Sequence, residues 1–149
     1  MPSRSRQFEV NRPMQIKTSY TFGTSVPMSV AEARPLVEAA LKVEGFGILT
    51  EIDVAAMMKA KLGVEGLPYL ILGACNPPLA HQALLAEPSA GALLPCNVIL
   101  REQDGRTIVE AMDPGAVLGV VQSPAIEPVA REARERLLRV IASLELESK

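Results

Sequence analysis

Two dipeptides carry most of the reactive chemistry in this chain. Its only cysteines, Cys75 and Cys96, are each followed by asparagine, in "GACNPPLAH" and "LLPCNV", and the first stretch also holds the single histidine, His81. "LPYLILGAC" reads as a strand and Asn76-Pro77 as an N-cap followed by a first-turn proline. Cys75 is therefore placed at a strand end just ahead of a helix, where free N–H groups and the positive end of the helix favour a thiolate. The same entry suits a carboxylate or phosphate, although Pro77 and Pro78 remove two of its amides.

Whether Cys75-Asn76 and Cys96-Asn97 form one site depends on how the chain returns. A helix leading into a parallel strand would leave the cysteines at opposite ends of the sheet. An extended "EPSAGALLP" would instead cover roughly 26 Å at about 3.3 Å per residue. The next strand would then start beside Cys75 and run antiparallel. Three readings stay open. In the first, Cys75, Asn76, Pro77, Cys96 and Asn97 belong to a concave polar pocket for a small molecule. In the second, Cys75 is the nucleophile of a thiol-dependent enzyme or redox sensor and Cys96 its resolving partner. In the third, both cysteines are inert core residues of a structural or protein-interaction module, with Asn76 a helix cap and Asn97 a strand-end hydrogen bonder. Cys75, His81 and Cys96 are three potential metal ligands, but they lack close C-x-x-C spacing and no metal is assigned; His81 is expected to pack or to point to solvent.

The totals narrow the classes. With 149 residues, 48% hydrophobic and 21% charged, the chain suits one globular domain that needs neither disulfide nor metal to hold its core. A formal charge of -2, 3% aromatics and no tryptophan give neither the basic field nor the stacking surface of a nucleic-acid binder. "MPSRSRQFEVNRP" reads as a flexible leader over residues 1–13, ahead of a folded domain over residues 14–147, and nothing apolar follows it that is long enough for a signal peptide or membrane span. The expectation is a cytoplasmic protein with free thiols and no membrane partner. G-x-S-x-G, Walker, G-x-G-x-x-G and H-E-x-x-H motifs are all missing from the sequence, and no residue pattern names a cofactor.

The positioning elements follow from periodicity. "MQIKTSYTF" alternates as one strand, with Ile16, Thr18, Tyr20 and Phe22 on one face. "SVAEARPLVEAALKVEG" opens with a Ser29/Glu32 capping box, carries the stripe Val30, Ala33, Val37, Ala40, Leu41, and ends at Gly45; Pro35 predicts a kink or a later start. "FGILTEI" alternates as a second strand, and Asp53 caps a short helix with Val54, Met57, Met58 and Leu62 turned inward as core filling. Glu51 and Asp53 resemble a carboxylate pair, but capping is the simpler role for Asp53. "LPYLILGAC", apolar on both faces, reads as a strand covered on both sides or set at a buried interface. "PPLAHQALLAE" is the helix after Asn76. Two strands follow around Gln103-Asp104-Gly105, an antiparallel hairpin, and Asp113-Pro114 marks a turn or helix start. A long helix from about Pro124 to Leu146 closes the chain. Its seam is Ile126, Ala130, Ala133, Leu137, Val140 and Leu144, and its outer pairs are Glu127–Arg131, Glu132–Arg136 and Glu135–Arg139. The order β-α-β-α-β-α-β-β-α predicts an α/β (α+β) two-layer sandwich on a mixed five-stranded sheet. The regular seam leaves open pairing of that helix with its twin in a dimer.

"GFGILTEIDV", "GACNPPLAHQAL" and "LLPCNVILRE" with its "DGRTIVEAMDP" continuation, in this order and spacing, resemble the bacterial and archaeal family known as domain of unknown function 302, from about Tyr20 to Leu144. The resemblance implies a compact two-layer α/β domain, a homodimer, and no established activity. Other branches have "GNP" at Cys75-Asn76-Pro77 and "LPL" at Leu94-Pro95-Cys96. This implies that a thiol is dispensable and that Asn76 and Pro77 are the shared element.

Overall fold

The computed structural model describes residues 15–147, so the expected leader lies outside the described residues. The first strand of the sequence reading is two strands. Thr18 Oγ1 accepts from the N–H groups of Tyr20 (3.1 Å) and Thr21 (2.9 Å) and turns the chain. β1 (Gln15–Lys17) therefore folds back antiparallel on β2 (Thr21–Val26), and Tyr20 is exposed in the turn. α1 (Val30–Val43) has the full capping box and runs through Pro35, whose ring lies on the exposed side, so its start is not shifted. Its C-terminus closes on Gly45 at φ +85, with Gly45 N–H donating to the Lys42 carbonyl (3.0 Å) and Phe46 N–H to that of Leu41 (2.9 Å).

β3 (Gly47–Asp53) leads into α2 (Val54–Leu62), which Asp53 caps through Ala56 N–H. β4 (Tyr69–Cys75) and α3 (Pro77–Ala86) follow, then a 3₁₀ turn over Pro88–Leu93. β5 (Cys96–Gln103) and β6 (Arg106–Met112) form the expected hairpin, with positive φ at Asp104 and Gly105. Asp113 caps α4 (Pro114–Leu118), and α5 (Glu127–Glu147) closes the fold.

The class is α+β in two layers, as expected, but the sheet has six strands and all neighbours are antiparallel, in the order β1-β2-β6-β5-β4-β3. α1 and α5 cover one face. Their buried side chains, among them Val37, Leu41, Leu137 and Val140, meet Phe22, Leu72, Val98, Leu100 and Val109 of the strands. Each such burial contributes about 1.5–3 kcal/mol. Every seam residue of α5 is buried inside its own chain, so the seam is not free to pair with a twin. The Glu127–Arg131 (3.1 Å) and Glu132–Arg136 (2.8 Å) pairs form, whereas Arg139 reaches across to Glu44 (2.9 Å) instead of holding Glu135.

Among the described residues no helix covers the second face of the sheet, which corrects the reading of β4 as covered on both sides. Ile71 of β4 is opposite Ile99 of β5 and Ile52 of β3, and the three form an apolar patch only partly shielded from solvent. Toward β6 the same face carries an ion pair beside buried Ile108: Arg101 pairs with Glu110 (2.9 Å), which also accepts from Thr21 (3.0 Å). α2 has no buried residue, and Met57, Met58 and Leu62 are exposed rather than turned inward. It packs on β3 and β4, with Ala55 and Ala56 facing Val30, Ala31 and Arg34 of α1 across a shared recess. Among the described residues no helix is long and apolar enough to cross a membrane.

Candidate functional site

The antiparallel pairing of β4 and β5 puts Ala74 opposite Cys96, so Cys75 and Cys96 lie one register step apart at the same end of the sheet. The route between them is not the extended one. α3 carries the chain away for about 15 Å at 1.5 Å per residue, and the 3₁₀ turn brings it most of the way back at about 2 Å per residue. Pro95 then enters β5 after a cis Leu94–Pro95 bond. It packs where a Cβ on Gly73 would stand 2.9 Å from its Cγ and collide with Thr50 Oγ1, so only glycine admits the turn at this point of β4.

The loop formed by α3 and the 3₁₀ turn arches over a cavity of ≈ 290 Å³. Phe46, Ala74, Cys75 and Cys96 make its floor, Leu79 and Ala83 of α3 one wall, and Val129 and Ala133 of α5 the other, with Leu84, Leu94 and Pro95 at the rim. The expected polar pocket is thus an apolar one. Of the residues nominated from the sequence, Cys75, Asn76 and Cys96 line it, while Pro77 and Asn97 do not. Asn97 is exposed on the open face of β5, and His81 is exposed on α3. Among the described residues no three His, Cys, Asp or Glu side chains are grouped to hold a metal ion, so Cys75, His81 and Cys96 do not converge.

Asn76 is buried and its amide is committed at both ends. Oδ1 accepts from Leu79 N–H (3.3 Å), capping α3, and Nδ2 donates to the Glu44 carbonyl (3.4 Å) at the end of α1. Arg136 Nη1 of α5 donates to the same carbonyl (2.9 Å). Three helix segments are tied at one oxygen. A Cβ on Gly45 would stand 2.9 Å from Asn76 Nδ2, so the left-handed glycine and the asparagine fit each other.

Burial dominates the thiols. It raises Cys75 above the ordinary thiol range, and burial together with neighbouring Cys75 pushes Cys96 up to about 11. Both are free thiols and both are protonated at neutral pH. For Cys75 burial acts against the thiolate expected at the helix entry. The wall residues of α3, α5 and the 3₁₀ turn were missed because cavity-facing leucines and alanines carry no chemical signature. One weak signal was available: "ALLAE" has more apolar residues than a short surface helix needs.

The family model described as Domain of unknown function DUF302 matches residues 22–144. A solved structure, the uncharacterized conserved protein DUF302 from Bacillus stearothermophilus, is similar at 27% identity and a TM-score of 0.78, over 84% of this chain and 98% of that one. No curated protein matches. A sequence match over nearly all of the sheet and both core helices, together with the same fold in that relative, makes this chain a member of the DUF302 family.

Proposed function

We propose that this protein binds a small organic molecule in the cavity between α3, α5 and the Cys75–Cys96 end of the sheet, and that it does so as a homodimer. The cavity itself carries the reading. Interiors pack at crystal-like density, and a recess walled by leucine, valine and alanine forfeits contacts unless something fills it. Its ≈ 290 Å³ is at the small end of ligand sites. The cysteines enter as wall. A thiol-dependent enzyme or redox sensor needs a thiolate near neutral pH, and the upward shifts of both thiols work against it.

The test is a set of methyl-resolved NMR titrations with a mixed library of small organic fragments. Shifts gathered at Leu79, Leu84 and Val129 support the site, and shifts scattered over the surface, or none, sink it. Support for the homodimer comes from the Ile52–Ile71–Ile99 patch and, separately, from the exposed Met57, Met58 and Leu62 of α2. Sedimentation velocity should show a dimer that Ile52→Lys converts to monomer; a monomeric wild type removes that half of the proposal. Two unpaired cysteines suit a reducing compartment, and we place the protein in the cytoplasm.

A further inference from the structure

A charged ligand group entering this cavity would look for partners at the start of α3, and none is free there. Pro77 and Pro78 have no N–H, Leu79 N–H is taken by Asn76 Oδ1 (3.3 Å), and Ala80 N–H by the Asn76 carbonyl (2.9 Å). Asn76 Nδ2 is turned to the Glu44 carbonyl (3.4 Å). The helix entry, the usual cradle for an anion, is closed by its own residues. No Lys, Arg, His, Asp or Glu lines the cavity. Arg136 of α5, whose guanidinium lies near Gly45, is engaged by Glu132 (2.8 Å) and the Glu44 carbonyl (2.9 Å). An ion carried past the open rim to the floor of this recess would lose its water and gain no partner, which costs more than apolar contact returns.

From this lining we infer that the ligand is an uncharged, largely hydrocarbon molecule that carries no carboxylate, phosphate or ammonium group into the cavity. The inference rests on the ligand-binding reading above and names the ligand's class. A dry cavity of about 150 Å³ takes benzene, so ≈ 290 Å³ takes a skeleton of about ten to twelve heavy atoms.

The experiment compares three probes of one skeleton: propylbenzene, 3-phenylpropanoate and 3-phenylpropylammonium. Each is titrated into the full chain while the methyl signals of Leu79, Leu84 and Val129 are followed. Propylbenzene is expected to bind at least roughly tenfold tighter than either ion. Leu84→Trp, at a rim position that is 41% exposed and so tolerant of size, should plug the cavity and abolish the Leu79 and Val129 shifts. If the ions bind as tightly as propylbenzene, or more tightly, the neutral-ligand inference is overturned while the ligand site stands. If no probe moves these methyls, the ligand reading fails and takes the inference with it.

Discussion

The two Cys-Asn pairs are the same dipeptide in two different structural grammars. Cys75-Asn76 ends β4 and starts α3, so its asparagine is drawn under the fold and caps a helix while bonding the Glu44 carbonyl. Cys96-Asn97 begins β5, where alternation sends Cys96 into the core and Asn97 to the open face. The difference teaches that a short motif takes its role from the element boundary it straddles. At β4 the boundary makes the asparagine structural and leaves the cysteine half-buried. At β5 regular pleating does the reverse, with the cysteine deeply buried and the asparagine free.

That contrast can be broken, and the largest effect belongs to Asn76. Asn76→Ala removes the α3 cap and one of two donors to the Glu44 carbonyl, and should lower stability by about 2 kcal/mol in urea unfolding. A loss no greater than that of a surface substitution would show that the tie is unimportant. Next is the residue that fits against it: Gly45→Ala at φ +85 should cost about 1–2 kcal/mol by the same assay.

The cysteine half of the contrast is sharpened by alkaline pH. Cys96 is raised in the folded state, so its contribution is complete below its unfolded value and is lost as pH climbs toward the folded value of about 11. Wild type should therefore lose about 1 kcal/mol per pH unit through that window relative to Cys96→Ala. Parallel stability curves for the two proteins would remove the buried-thiol account. Smallest of all, Asn97→Ala should change stability by no more than about 0.5 kcal/mol; a loss matching Asn76→Ala would erase the distinction between the pairs.

Local signals made much of this legible. The capping box at Ser29, the caps Asp53, Asn76 and Asp113, the Asp104-Gly105 hairpin and the α5 seam each depend on neighbours within a few residues. The errors arose where distant parts decide. Thr18 could satisfy a strand pattern or a turn, and its hydroxyl settled the matter by bonding two amides. The inward face assigned to Met57 and Met58 assumed that α2 packs into the core, and none of its residues is buried. The apolar site escaped because its walls come from α3, α4, α5 and three strands, most contributing unremarkable aliphatic residues. The sequence marked one corner of it, through Cys75, Asn76 and Cys96.

β3 departs from regular pairing with β4 between Ile48 and Thr50, where Leu49 is an extra residue without a register partner. Unguarded sheet margins recruit foreign strands and seed fibres, because a row of unsatisfied amides and carbonyls accepts any chain of matching repeat. A bulge breaks that repeat. The β3 margin of the described sheet is thus a poor template for polymerisation, and sideways growth by strand addition is disfavoured there.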